Sequence, residues 1–213
     1  MACEVFTIGH STHSIEKFID LLSSHGIQVV ADVRSSPFSK FNPQFNRENL
    51  QNSLKASGIR YVFLGKELGA RSEDPACYVA DKVQYDRLAK TPLFQSGLDR
   101  IIEGANSYCI ALMCAEKDPL DCHRTILVAR ELLKRGLAIT HILEDGSLEN
   151  HTDAISRLVK ILGMSLDDMF ISRDEIIEQA YSRQANRIAY DQSEWQAKRS
   201  AERSELVSGG ARG

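Results

Sequence analysis

Apolar positions along the chain switch between two rhythms, and the switches divide it into strands and helices. Glu4 to Ile8 has the apolar content of a short buried strand and stops at Gly9. Ile15, Phe18, Ile19 and Leu22 then recur at helical spacing. Ser14 stands at the N-cap, Lys17 occupies the place where a capping box would carry Glu, and Gly26 sits where a helix ends on a glycine. Ile27 to Val33 is an apolar run rich in β-branched residues, the pattern of a strand covered on both faces. Strand, helix and strand in this order predict a parallel β-α-β unit with a right-handed crossover.

The stretch from Ser35 to Phe45, with two prolines, three phenylalanines and several amides, predicts a loop. Asn46 caps a helix carrying Leu50 and Leu54 that ends at Gly58, and Arg60 to Leu64 is the third strand. Residues 65–92 have turn residues and few apolar positions, which predicts a long excursion in which Tyr78 and Tyr85 line a surface. Leu93 to Ala105 is helical. Tyr108 to Met113 is the clearest buried strand, feeding a loop that ends at Asp121 and a helix from about Cys122 to Arg135. Leu137 to Leu143 is another strand. Beyond the Asp145-Gly146 turn, Ile155, Leu158, Val159 and Leu162 mark an amphipathic helix, and residues 174–190 mark a further one.

The predicted class is therefore α/β: a single domain with a mostly parallel sheet flanked by helices, layered in the Rossmann-like manner, plus C-terminal helices. The core domain is expected over 1–165, a helical extension over 166–191, and a disordered tail over 192–213, where the chain is charged and closes on Gly-Gly-Ala-Arg-Gly.

Composition narrows this little. A length of 213 residues suits one well-packed domain, and 43% hydrophobic with 26% charged residues is ordinary for a soluble protein. A net charge of -3 leaves no overall basic footprint of the kind nucleic-acid binding demands, although a local patch would suffice. The start lacks the basic and apolar regions of a signal peptide, and no run approaches the roughly 20 apolar residues that span a bilayer. Cys3, Cys77, Cys109, Cys114 and Cys122 are an odd number of cysteines in a chain too large to need staples, which points to a reducing cytoplasm.

The candidate chemistry lies at strand ends. Gly9-His10-Ser11, Asp32-Val33-Arg34 and the segment from Cys114 to Arg124 each follow or end a predicted strand. Ligands of parallel sheets bind outside the carboxyl ends of strands, so the three are expected to converge into one polar site. A helix N-terminus near Cys122 would favour an anion and lower a cysteine pKa. Arg124 could hold a phosphate, sulfate or carboxylate in bidentate fashion, and His123 could serve as acid or base with Glu116 orienting it.

Structural roles compete at each position. Cys109 is expected to be core packing, Cys114 could pack as a small hydrophobe, and Asp121 suits a helix N-cap. His10 could fill the Gly9 turn, and Asp32 with Arg34 could be a structural salt bridge. His13, His25, His141 and His151 have no motif around them, and surface or packing roles are expected. Cys114, Cys122, His123 and His10 are ligand types that zinc prefers, but Cys-x7-Cys-His is not a usual zinc spacing, so no metal is assigned on sequence.

Thr7-Ile8-Gly9-His10-Ser11, Asp32-Val33-Arg34 with Pro37, Asn42-Pro43-Gln44-Phe45, Leu112-Met113-Cys114-Ala115-Glu116 and Cys122-His123-Arg124 together resemble the domain-of-unknown-function 488 family. The resemblance runs from about Phe6 to Leu162 and continues more weakly through Gln179-Ala180-Tyr181 and Ile188-Ala189-Tyr190. It implies that these polar positions are the family's motif positions and brings no established activity. A weaker similarity links the chain to rhodanese-like and cysteine-phosphatase domains, with Cys114 as the loop cysteine and Arg124 at the start of the helix. Those families place the arginine about five residues after the cysteine; here the loop is longer and contains Asp118, Pro119 and Asp121.

The resulting expectation is an enzyme acting on an anionic, nucleotide-like or phosphate-bearing substrate, nucleic acid included. His10, Asp32, Glu116 and His123 would handle protons, and Cys114 or Cys122 would act as nucleophile or shape the pocket. Ser11, Arg34, Asn42, Gln44, Phe45 and Arg124 would bind the substrate. Phe38, Phe41 and Phe45 with Lys40 and Arg47 could stack bases or form a local hydrophobic cap. Thiolate chemistry and a non-catalytic nucleic-acid or protein-binding module are the alternatives. The cofactor, a metal included, stays unassigned, no membrane partner is expected, and a homo-oligomer is compatible with everything above.

Overall fold

A computed structural model describes residues 4–193. The chain begins with β1 (Glu4–Gly9), α1 (Ile15–Ser24), β2 (Val29–Asp32), α2 (Arg47–Ala56) and β3 (Arg60–Phe63). Ser14 caps α1 as its sequence predicts, accepting the Lys17 N–H at 3.2 Å, and Gly26 follows the helix with φ of 66°. The excursion over 65–92 is more ordered than its composition suggests. It holds α3 (Gly65–Leu68), a small hairpin of β4 (Tyr78–Val79) and β5 (Lys82–Val83), and α4 (Tyr85–Leu88). Then come α5 (Pro92–Ala105) and β6 (Ile110–Cys114).

The helix expected from about Cys122 opens instead as a π-helical segment, Arg124–Ala129, before settling into α6 (Arg130–Lys134). Such wide turns are rare and are often found at functional sites. β7 (Ala138–Ile142), β8 (Leu148–Asn150), α7 (His151–Ile161) and α8 (Arg173–Ile188) complete the described chain. β8 is an addition to the sequence reading: the Asp145-Gly146 turn returns the chain antiparallel along β7.

The main sheet has the order β3-β2-β6-β1-β7-β8 and is parallel except at β8. It is an α/β fold of the predicted kind. Phe18, Leu22, Leu50 and Leu54 from α1 and α2 are buried in one core cluster with Ile8, Val30 and Met113. Phe94, Leu98, Ile126, Leu132 and Leu158 make up the other, with Val5, Ala31 and Leu112. The two clusters alternate along the strands, as the period of two requires. α8 packs into the second cluster through Ile176, Ala180 and Tyr181. Cys109 departs from its expected place: it precedes β6, is half-buried, and its thiol lies 3.9 Å from the His25 carbonyl. Cys3 and the tail beyond residue 193 lie outside the described residues. Among the described residues no helix is long and apolar enough to cross a membrane.

Candidate functional site

The sheet order explains how three distant motifs come together. The chain runs from β1 to β2 and outward to β3, then returns to insert β6 between β2 and β1 before leaving towards β7. This reversal is a topological switch point, where the carboxyl ends of neighbouring strands leave a crevice. The three ends are level, because Gly9 pairs with Cys114 and Asp32 pairs with Met113. The ladder runs on past the strands: His10 N–H donates to the Cys114 carbonyl at 2.9 Å, and Ser11 N–H to that of Ala115 at 3.0 Å. Glycine is required at position 9, since a Cβ there would stand 1.9 Å from the Glu116 carbonyl oxygen. Ser11 turns the chain with φ of 48°.

Asp32, Arg34 and His10 form one buried network. Arg34 binds the Asp32 carboxylate in bidentate fashion, through Nε at 2.9 Å and Nη2 at 2.7 Å, and Nη2 also donates to the Phe45 carbonyl at 2.9 Å. Tyr61 donates to the same carboxylate at 2.8 Å. His10 uses both ring nitrogens: Nδ1 donates to the Ser11 carbonyl at 2.9 Å, so Nε2 accepts from Arg34 Nη1 at 3.2 Å. Burial, and then the Arg34 charge, lower the His10 pKa to about 4, which keeps the ring neutral. Asp32 thus has no free lone pair directed at solvent and holds Arg34 in place; the proton-handling role expected of it gives way to a positioning one.

Cys114, Cys122 and His123 form the second group. His123 Nε2 donates to the Val33 carbonyl at 3.0 Å, which turns Nδ1 towards both sulfurs, 3.8 Å from each. The Arg124 backbone N–H donates to Cys122 Sγ at 3.4 Å. The two thiols are driven apart in acidity. Cys114 is raised, first by its hydrogen bond to Cys122 and then by burial. Cys122 is lowered: burial opposes this, but the bond from Cys114, the Arg124 charge and His123 outweigh it. Glu116 is raised by burial of its carboxyl and by the neighbouring Cys122.

A family model described as Domain of unknown function DUF488 matches residues 14–130, more than half of the chain. The chain belongs to this family. The DUF488 match takes in Asp32, Arg34, Cys114, Glu116, Cys122, His123 and Arg124, and begins after His10 and Ser11. No curated protein and no solved structure matches the chain.

Within this DUF488 member, several expected site residues have other duties. Arg124 is 1% exposed, and its guanidinium donates to the carbonyls of Glu116 at 2.8 Å and Lys117 at 3.4 Å. It braces the loop from within and is not presented to a ligand. Phe45 is fully buried, stacked on His10 at 4.3 Å and edge-on to Phe18 at 5.2 Å, so it shapes the site from beneath and cannot touch substrate. Gln44 donates to the His13 carbonyl at 2.9 Å. Asp121 does not cap the helix; it pairs with Arg187 and accepts from Gln184 on α8. Asp118 caps the turn before it, accepting the Leu120 N–H at 2.9 Å.

Several cavities open at this sheet edge, and two of them share Arg34. One, of about 260 Å³, is lined by Arg34, Ser35, Arg71, Tyr85, Cys114, Glu116, His123 and Tyr190 among others. The second, of about 400 Å³, is lined by His10, Ser11, Arg34, Phe38 and Asn42 among others. Arg34, Ser36 and Ala115 belong to both. Arg71 sits in the excursion with no motif around it, so nothing in the sequence marks it as a cavity residue; Tyr85, from the same excursion, lines the cavity too.

His141 and His151, expected at the surface or in packing, are buried in a hydrogen-bonded chain. Thr7 Oγ1 meets His141 Nδ1 at 2.7 Å, His141 Nε2 meets His151 Nδ1 at 3.1 Å, and His151 Nε2 meets the Tyr181 hydroxyl at 2.7 Å. Burial lowers the pKa of His141 to about 2 and that of His151 to about 4.

Proposed function

We propose that this DUF488 protein is an enzyme acting on a small anionic substrate, phosphate-bearing or nucleotide-like, in the cavity beside Cys114. The observation that carries the reading is the lining of that one cavity, where Cys114, Glu116 and His123 are joined by the guanidinium-bearing Arg34 and Arg71. Arg71, whose guanidinium lies 4.6 Å over the Tyr190 ring, supplies charge for the anion, Arg34 stays paired with Asp32 as part of the cavity wall, and Ser35 and Ser36 supply hydroxyls for the anion's oxygens. Glu116 transfers protons, its raised pKa moving it towards the range where a carboxyl works as acid or base near neutrality, while His123, anchored through Nε2 to the Val33 carbonyl, orders the sulfur side of the cavity. His10 and Asp32 act indirectly, by fixing Arg34. The adjoining cavity gives Ser11 and Asn42 a place beside the substrate and offers the Phe38 ring to a base.

A cysteine nucleophile fits this geometry less well. The more acidic thiol, Cys122, is buried, and the thiol at the cavity, Cys114, is the one held protonated. A binding module has one observation in its favour: Phe38 and Phe41 are 65% and 93% exposed beside Lys40, a surface on which bases could stack.

The test is a thermal-shift screen of nucleoside monophosphates and sugar phosphates against their uncharged counterparts. Phosphorylated ligands are expected to raise the Tm, Arg71→Ala to abolish the rise, and Glu116→Gln to keep it while removing turnover. A rise that Arg71→Ala leaves untouched contradicts the assignment of the cavity. Binding that collapses with salt and ignores the cavity variants favours the binding module instead.

A further inference from the structure

Cys114 Sγ, Cys122 Sγ and His123 Nδ1 lie within 4.8 Å of one another, all on buried residues. A hydrogen bond from His123 to a single thiolate would draw Nδ1 towards that sulfur, yet it stands 3.8 Å from each. That spacing is close to the edge of a metal tetrahedron: Zn–S bonds of about 2.3 Å and Zn–N bonds of about 2.0–2.1 Å give S···N edges of about 3.5–3.6 Å. The surroundings suit metal ligands too. The Val33 carbonyl takes the Nε2 proton of His123, which leaves Nδ1, facing the sulfurs, as the nitrogen able to ligate an ion. The Arg124 backbone N–H supports Cys122 Sγ, as N–H groups do for thiolate ligands.

We infer that Cys114, Cys122 and His123 form a three-ligand site for a divalent metal ion of zinc's class, with its fourth position open to the cavity. The sulfur and imidazole ligand set selects such an ion over magnesium or calcium, which prefer oxygen. Cys114 and His123 also line the cavity together with Glu116, which places the open position where a small ligand enters. Three protein ligands and one open position are the pattern of zinc sites that take part in chemistry, whereas structural sites are closed by four. His10 is not a ligand, because its Nδ1 serves the Ser11 carbonyl and its Nε2 serves Arg34. The seven residues between the cysteines, an unusual zinc spacing, are accommodated because the intervening loop is drawn back by Arg124.

The full chain, reduced and stripped of metal, is titrated with Co²⁺ and then with Zn²⁺. The expected result is one Co²⁺ per chain, with a thiolate-to-cobalt charge-transfer band and the strong d–d bands of a four-coordinate ion, displaced by one equivalent of Zn²⁺. Cys114→Ser should remove about half of the charge-transfer intensity, as expected when one of two sulfur ligands is lost. Cys77→Ser, at a buried cysteine outside the cluster, should leave the spectrum unchanged. Absence of the band in the wild-type chain overturns the site, and so does a spectrum indifferent to Cys114→Ser. The wild-type spectrum is decisive even where a variant fails to fold. The metal site rests on ligand geometry alone, so phosphate-ligand binding without a cobalt band would remove it and leave the substrate reading standing.

Discussion

Two histidine clusters flank β1, one on the side of β6 and one on the side of β7, and they are built on opposite principles. In the chain from Thr7 through His141 and His151 to Tyr181, each ring nitrogen has one partner at 2.7–3.1 Å. Both histidines are neutral, each carries one proton, and the row of bonds is closed. In the cysteine cluster only Nε2 of His123 is bound in that way; Nδ1 faces two sulfurs at 3.8 Å, and a cavity begins beside it. Burial and a shifted pKa are common to both. What separates framework from candidate chemistry is unspent bonding capacity next to a space that a ligand can enter.

The sharpest way to break this comparison is to cut the closed chain. His141→Ala leaves Thr7 and His151 without partners in a packed core. It should cost about 2–4 kcal/mol in urea unfolding, from lost packing and orphaned groups together, and leave the ligand-induced Tm rise intact. Acid should act on the same chain. His141 and His151 have folded-state pKa values below the unfolded value of about 6.5. Their contribution is therefore full above that value and is lost as the pH falls from there, towards about 4 for His151 and about 2 for His141, a range in which the unfolded chain binds more protons. Each ring steepens the loss by up to about 1.4 kcal/mol per pH unit. Unfolding curves at pH 7.5 and 5 should show it, and replacing both histidines should flatten the difference.

Tyr181→Phe is milder. It removes only the hydroxyl that His151 Nε2 meets and keeps the ring beneath Arg130, so about 1–2 kcal/mol is expected. Glu116→Gln should do least to stability, within about 0.5 kcal/mol, because the residue as a whole is exposed although its carboxyl is turned towards the cysteines, and the change keeps its size, while removing turnover. A reversal of this order, with Glu116→Gln destabilising and His141→Ala merely inactivating, would dissolve the distinction between the two clusters.

The sequence makes the framework legible where the physics is local. An apolar run rich in valine marks β2, an unbroken apolar run marks β6, Ser14 marks the start of α1, and strand ends mark the candidate site, because a parallel sheet presents all its carboxyl ends on one edge. Pairings between distant residues leave no such trace. Thr7, His141, His151 and Tyr181 are spread over most of the chain, and no period or spacing unites them. Phe45 looks the same as Phe38 and Phe41 in the sequence, yet only it turns inward beneath His10. Arg124 reads as an anion ligand until the loop folds back and offers it two carbonyls. The spacing of Cys114 and Cys122 matches no usual zinc pattern, but spacing is a property of the chain that says nothing about where a folded loop returns.

The central claim is that the cavity beside Cys114 binds the substrate anion while the histidine chain only supports the fold. The most direct measurement is the affinity of one phosphorylated ligand, by calorimetry, for the wild type, Arg71→Ala and Tyr181→Phe under conditions where all three are folded. The account predicts that Arg71→Ala loses the binding heat and that Tyr181→Phe keeps the wild-type Kd. Equal affinity in the wild type and Arg71→Ala, or binding lost on removing the Tyr181 hydroxyl alone, would contradict it.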